Sequence, residues 1–314
     1  MRLLVVGAGA VGGYFGGRLL AAGRDVTFLV RPARAAALAA DGLVVHTLGD
    51  DSDLFVPIPV TVQADELADA GPFDAVLLSV KAYALEQALD DLAPAIGAET
   101  FVVPALNGLR HVDVLRERFG DQHVVGGVCV VAAQLDPDGS IRQVGVGNSW
   151  AYGEFDGSVS DRMLELDSSL TGAGFGARIS QTIDLDMWEK WVMLASGGAL
   201  TTLLRSTVGP IVAAPGGLEV ATAIAEECFA VATAAGFGPR EKQRVFVLGT
   251  LTAQGSSYGT SMFRDLMSGK EVESEQIVGD LVARAGALGV PVPLLSLANT
   301  SLSVYRAERA ARLG

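Results

Sequence analysis

MRLLVVGAGAVGGYFGG, residues 1–17, decides the fold. Leu3 to Val6 is a short apolar run rich in branched side chains, the pattern of a buried strand. The run breaks at Gly7. Gly9 and Gly12 complete G-x-G-x-x-G, and Tyr14, Phe15 and Leu19 continue at helical spacing. Strand, tight turn and helix form the context in which this motif has meaning. Gly7 permits the turn, Gly9 leaves room for the backbone to approach a pyrophosphate, and Gly12 lets helix and strand pack closely. The N–H groups opening the helix then face the phosphates. Gly7, Ala8, Gly9, Ala10, Val11 and Gly12 are therefore the expected dinucleotide cradle. In a chain with 38 glycines the motif alone is weak; its place directly after an apolar strand gives it weight.

Working outward, Asp25 to Val30 reads as the second strand, and Arg31 and Arg34 follow it. NAD binders usually end this strand in an acid for the ribose 2′-hydroxyl, whereas an arginine accommodates a 2′-phosphate. A guanidinium can fork onto phosphate oxygens. NADP(H) is the expected cofactor and Arg31 its reader. Leu43–Thr47 and Phe55–Val62 read as short strands around the polar turn Gly49–Asp53. Pro57 and Pro59 make the second of them an edge or irregular strand. Ala64–Ala70 reads as a short helix, Phe73–Val80 as a buried strand ending at Lys81, and Thr100–Leu106 as a strand ending at Asn107-Gly108. Val124–Val131 is another strand. After the turn Asp136–Gly139, Ile141–Glu154 reads as one or two antiparallel strands closing the sheet. Such alternation indicates a mostly parallel sheet with helices on both faces and ligands beyond the carboxyl ends of its strands. Arg31, Lys81 and Asn107 should gather on that rim. Lys81 also reads as a plain solvated lysine, and Asn107 as a turn former before Gly108.

The alternation stops after a last short strand, Phe175–Ser180, and the remainder reads as helical. The expected fold class is α/β, a Rossmann-type dinucleotide-binding domain over 1–175 followed by an all-helical domain over 176–314. The active site is expected in the cleft between them. Asp186–Ala195 opens the helical half, with Gly197 and Gly198 punctuating the segment after it. Arg240–Leu266 and Gln276–Leu288 read as further helices. Lys190 sits between Trp188 and Trp191. It is either a partly desolvated proton donor for a carbonyl reduced by hydride or a lysine that snorkels out beside Glu189. Glu273, between Glu271 and Glu275, reads as part of a solvated helix start, and Ser261 as a substrate ligand or a helix-interior hydroxyl.

Composition narrows the classes. The chain has 314 residues, 50% hydrophobic and 19% charged, with net charge −13. That charge argues against a general nucleic-acid or anionic-membrane surface. No stretch approaches twenty uninterrupted apolar residues, so no membrane span is expected. Met1-Arg2 runs straight into a strand rather than a secretory signal, and a cytoplasmic enzyme is expected. Cys129 and Cys228 suggest neither a disulfide framework nor a metal site. The three histidines, His46, His111 and His123, lack ligand spacing, so no metal is expected. The long apolar helices of the second half can pack on one another or on a second copy, which leaves a homodimer open.

Several stretches together resemble the ketopantoate reductases (2-dehydropantoate 2-reductases), nearly end to end. They are VVGAGAVGG at Val5–Gly13, Arg31, SVKAY at Ser79–Tyr83, LNG at Leu106–Gly108, VAAQLDPDG at Val131–Gly139 and DMWEK at Asp186–Lys190. The most specific is SSYGTSMFRDLMSGKEVESEQIVG at Ser256–Gly279. The resemblance implies NADPH-dependent reduction of 2-dehydropantoate to (R)-pantoate, on the way to pantothenate and coenzyme A. It implies Lys190 as general acid, Ser261 as a substrate-binding serine and Asn107 as an asparagine shared by cofactor and substrate. It further implies Glu273 as a carboxylate at the nicotinamide end, Ala133 as a backbone cofactor contact and Lys81 as part of the catalytic network. Three positions depart from the family. Leu194, Gly198 and Tyr258 stand where it often carries asparagines. Positions i, i+4 and i+8 share a helix face, so Leu194 and Gly198 should line the wall beside Lys190 and make it more apolar. A lost polar group in such a site changes selectivity more than a missing methylene does. The expected substrate is ketopantoate or a related, less polar 2-keto acid or ketone. A non-catalytic dinucleotide sensor is a third reading, against which Lys190, Ser261 and Glu273 stand.

Overall fold

A computed structural model describes residues 1–49 and 53–313; Asp50, Asp51 and Ser52 of the expected polar turn lie outside the described residues. The chain opens with β1 (Arg2–Val6), α1 (Ala10–Ala21), β2 (Asp25–Leu29), α2 (Pro32–Asp41), β3 (Leu43–His46), β4 (Leu54–Val56) and β5 (Thr61–Val62). It continues through β6 (Ala75–Leu78), α3 (Leu85–Leu92), β7 (Phe101–Pro104), α4 (Arg110–Phe119), β8 (Gly126–Leu135), β9 (Ile141–Gly153), α5 (Asp161–Leu170) and β10 (Gly176–Ile179). The segment expected as a helix over Ala64–Ala70 forms only a single 3₁₀ turn, Ala64–Glu66.

One sheet runs β5-β2-β1-β6-β7, with every pair parallel. With β3 and β4 set aside, this is the 3-2-1-4-5 order of a doubly wound dinucleotide-binding sheet. Its strands end in one row, since Val6 pairs with both Leu29 and Leu78, and Leu78 pairs with Pro104. The order reverses between β1 and β6, which puts the ligand-binding crevice beyond their carboxyl ends.

The long hairpin does not close this sheet. β8 and β9 pair antiparallel in a second sheet, where β9 also runs parallel to β3 and β10, and β3 pairs antiparallel with β4. Val124 still bridges to Val102 of the first sheet, and the chain changes sheets immediately after it. Pro57 and Pro59 lie between β4 and β5, where an absent N–H interrupts pairing, and so the single strand expected over Phe55–Val62 becomes two edges of different sheets.

Helix α1 explains how two sheets share one core. A Cβ on Gly12 or Gly16 would strike Gly7 or Phe28 of the first sheet's strand region. A Cβ on Gly13 or Gly17 would instead press on Ile141 of β9 or on Leu43 and Val45 of β3. Residues four apart share a helix face, so the two glycine pairs are two adjacent bare faces, one for each sheet. Between them Tyr14, Phe15 and Leu19 are fully buried, and Phe15 packs edge-on against Phe175 and tilted on Trp150.

The rest is helical: α6 (Ile183–Leu203), α7 (Val208–Ala213), α8 (Gly217–Ala234), α9 (Glu241–Leu251), α10 (Ser261–Met267), a π-helical turn (Glu275–Gly279), α11 (Asp280–Leu288) and α12 (Pro293–Leu313). The helix α6 runs straight through Gly197 and Gly198. The helix expected over Arg240–Leu266 is two, separated by an irregular segment in which Gly255 takes φ +67. Helix α8 packs against α7, α9, α11 and α12. Its fully buried residues include Ala221, Ala225 and Cys228, small enough for close helix approach. Its Glu227 carboxylate accepts from the N–H groups of Leu294 and Leu295 at 3.0 and 2.9 Å, which caps α12 in the sense its dipole favours. Two compact units result, Met1–Leu106 with His111–Ile183, and Asn107–Arg110 with Asp184–Gly314. No helix among the described residues is long and apolar enough to cross a membrane.

Candidate active site

In the first unit the switch point is built by backbone. Gly7 takes φ +92, a left-handed value that suits glycine alone, and its N–H donates to Leu29 O at 2.9 Å. The Ser79 hydroxyl, one residue beyond β6, donates to Val6 O at 2.8 Å and so ties the two strand ends together. A Cβ on Gly12 would land on Gly7 O and Ser79 Oγ, closer than real Cβ atoms come. Helix α1 then starts with no side chain capping it, and a Cβ on Gly9 would meet nothing within 4 Å. An uncapped helix start beside open space at the middle glycine fits a pyrophosphate.

Arg31 is exposed at the N-cap of α2. Arg34, one turn on, is half-buried. Its Nε donates to Ala8 O and its Nη1 to Gly139 O, both at 3.0 Å, and burial pulls the guanidinium below its ordinary value. Arg34 thus ties the cradle loop to the turn between β8 and β9. Lys81 is exposed at the head of a 3₁₀ turn, Ala82–Ala84, two residues after Ser79. Ala133 lies in the second sheet, at a bulge where the β8–β9 register shifts between Val131 and Ala133.

The second unit carries the other candidates on and around α6. Trp188 and Trp191 are buried and pack together at 5.0 Å between ring centroids, with Phe237 stacked on Trp188 at 5.6 Å. The Trp191 indole Nε1 donates to Ile277 O in the π turn at 2.8 Å. Glu189 is buried and held by Arg240, whose N–H and Nε both donate to Oε1, at 2.8 and 2.9 Å, while Nη2 reaches Oε2 and Asp186. The Glu189 hydrogen bonds in turn hold the Arg240 guanidinium above its ordinary value. Lys190 itself is half-buried. The residues on either side of it are pinned inward, one by charge and one by an indole.

Leu194 is half-buried one turn beyond Lys190, whereas Gly198 is buried beneath the Met262 side chain, whose Cε occupies the space a Cβ there would need. At Gly197 a Cβ would lie 3.3 Å from Tyr258 Oη and 3.2 Å from Thr260 Cγ2. Met262 and Tyr258 therefore face α6 in place of a polar side chain at 198. Burial pushes the Tyr258 hydroxyl up. Ser261 is exposed and opens α10, just after Thr260, whose hydroxyl caps that helix by accepting from Phe263 N–H. It is not a helix-interior hydroxyl. Glu273 is half-buried in the segment before the π turn rather than in a helix. Asn107 is half-buried and belongs with Asn107–Arg110 to this second unit, although β7 before it belongs to the first. Gly108 takes φ +78, and a Cβ on it would collide with Gln276 O of the π turn.

Arg34, Arg240, Trp191 and Ser79 carry structure around the candidates, a part that the sequence pattern gives to none of them. Only Arg34 has a local signal, its i+3 spacing from Arg31. The described residues hold no group of three His, Cys, Asp or Glu side chains placed for a metal ion, and both cysteines are buried.

Residues 3–157 match the family described as ketopantoate reductase PanE/ApbA, and residues 182–305 match its C-terminal part. YkpB, an uncharacterized oxidoreductase of Bacillus subtilis (strain 168), is 34% identical over 309 residues, which cover 98% of this chain and 100% of YkpB. The 2-dehydropantoate 2-reductase of Mesorhizobium japonicum is 30% identical over 318 residues, covering 94% of each chain. A crystal structure of a PanE/ApbA family ketopantoate reductase from Ralstonia eutropha JMP134 superposes with a TM-score of 0.86 at 26% identity, over 99% of this chain and 100% of that one.

Proposed function

The chain belongs to the ketopantoate reductase family, and on that footing we propose that it is an NADPH-dependent 2-dehydropantoate 2-reductase serving pantothenate and coenzyme A synthesis. The first unit is the NADP-binding domain, and the helical unit binds substrate and carries the proton donor. The observation that carries this reading is the setting of Lys190, half-buried on a helix whose flanking Glu189 and Trp191 are locked inward. Bound NADPH supplies the hydride. Gly7–Gly12 hold its pyrophosphate, Arg31 reads its 2′-phosphate, and Lys81 and the Ala133 backbone complete its contacts. Lys190 gives its proton to the carbonyl oxygen as that oxygen gains charge, and the ammonium's charge opposes it until transfer. Asn107 and Ser261 orient the 2-keto acid, with Asn107 and Glu273 also toward the nicotinamide.

A second reading has an observation of its own. Leu194 and Gly198 follow Lys190 by one and two turns on the same helix face, and Met262 fills the space over Gly198, so that face carries no polar side chain there, which favours a less polar 2-keto acid. Incubating the protein with NADPH and a panel of 2-keto acids separates the two. Ketopantoate should be turned over best. A kcat/KM about a hundredfold higher for a small apolar keto acid, roughly 2.7 kcal/mol of preference, would replace the first substrate by the second. No oxidation of NADPH with any of them would remove the enzymatic reading.

A further inference from the structure

Three candidates sit far apart in the chain, Asn107, Lys190 and Glu273, and one short element touches the neighbourhood of each. It is the π-helical turn Glu275–Gly279, in which Asp280 N–H bonds Glu275 O, five residues back. A π turn is a one-residue expansion of an α-helix, costly in hydrogen-bond geometry and common at functional sites. An expanded ladder leaves backbone carbonyls to be satisfied from outside. Here Ile277 O takes the indole N–H of Trp191, the residue after Lys190, at 2.8 Å. Gln276 O is where the Asn107-Gly108 loop lies against the turn, so close that Gly108 has no room for a Cβ. Glu273 stands two residues before the turn begins. Arg284 of α11 lies over the Trp191 ring, its guanidinium carbon 5.5 Å from the centroid.

We propose that this π turn is the positioning element of the catalytic site, with Trp191 as its positioning residue. Two successive carbonyls of one rigid turn set the distance between the loop that carries Asn107 and the helix face that carries Lys190. This inference rests on the proposed roles of Asn107 and Lys190.

The test compares Trp191→Phe and Gly108→Ala with the wild-type chain, using NADPH and ketopantoate, or the best keto acid of the panel. Trp191→Phe keeps an aromatic ring in the core but removes the indole N–H together with the five-membered ring that carries it. Its kcat per folded protein should fall about tenfold or more while KM for NADPH stays within about twofold, a split that a loss of fold alone does not produce. Gly108→Ala should raise KM for the keto acid and lower kcat together. A Trp191→Phe protein with wild-type kcat, whatever its melting temperature, overturns the proposal. Should that variant not fold, wild-type constants in Gly108→Ala overturn it instead. Lys190→Ala separates the layers. A wild-type rate there sinks the reading of Lys190 itself, whereas an inactive Lys190→Ala beside a fully active Trp191→Phe removes only the π turn's part.

Discussion

Replacing Gly12 and Gly9 by alanine, one at a time, separates packing from ligand approach within a single loop. At Gly12 a Cβ would fall on Gly7 O and Ser79 Oγ, both nearer than the 3.0 Å that real Cβ atoms respect, where ordinary contact begins at 3.4 Å. Neither neighbour can yield cheaply. Gly7 is backbone at φ +92, and the Ser79 hydroxyl is committed to Val6 O at 2.8 Å. The start of α1 must back away instead, and overpacking of this kind costs about 1–3 kcal/mol. For a unit of this size that is a fall of roughly 3–10 °C in melting temperature. If the pyrophosphate sits at that helix end, the retreat should also weaken NADPH about tenfold, or 1.4 kcal/mol. At Gly9 the same methyl meets nothing within 4 Å, so Gly9→Ala should melt within about 1–2 °C of wild type, as neutral substitutions do. If the pyrophosphate fills that space, its NADPH dissociation constant should still rise about tenfold, or 1.4 kcal/mol. Melting by circular dichroism and NADPH titration by nucleotide fluorescence read both quantities. A Gly9→Ala protein that binds NADPH like wild type would refute the placement of the cofactor on this loop. A Gly12→Ala protein unchanged in both would refute the packing argument.

Three further outcomes concern other parts of the chain. Arg31→Ala should raise KM for NADPH about tenfold and leave NADH nearly untouched, since only one of the two carries a 2′-phosphate; equal losses would assign the phosphate elsewhere. Arg240→Gln takes the guanidinium from the buried Glu189 carboxylate, and because the arginine side chain is 38% exposed the loss should sit below the usual buried-pair range, at about 2–3 kcal/mol in urea unfolding. An unchanged midpoint would mean that the clamp does not hold α6. Glu154 is raised by burial but lowered more by its hydrogen bonds from Arg162 and Ser160, and its net direction is downward. A carboxyl lower in the folded than in the unfolded state adds stability above the unfolded value, about 4.3, and loses it as pH falls through the folded value. Glu154→Gln should therefore flatten the acid limb of the stability–pH curve, and a limb of wild-type steepness would contradict this.

What residues 1–17 determined by themselves is local. Strand, turn and uncapped helix start depend on neighbours a few positions apart, and so the cradle and the glycine logic at Gly7, Gly9 and Gly12 were legible, as was Arg31 after β2. The parallel alternation and the helical second half were legible for the same reason, because hydrophobic period is a local property. Tertiary structure alone decided the rest. β3 and the start of β8 carry apolar runs like those of the first sheet's strands, and only long-range pairing sends them to a second sheet. Gly13 and Gly17 acquire meaning only when β3 and β9 press on α1. Gly197 and Gly198 look like breaks in sequence, yet α6 continues through them because Tyr258, Thr260 and Met262 fill the space beside them. The π turn has no periodic signature, since one extra residue in a helix is invisible until Trp191 arrives from elsewhere to bond Ile277 O and Gly108 packs against Gln276 O. Propensity and periodicity sum over adjacent residues; hydrogen bonds between positions 191 and 277, or 189 and 240, exist only after the chain has closed loops that no window of sequence spans.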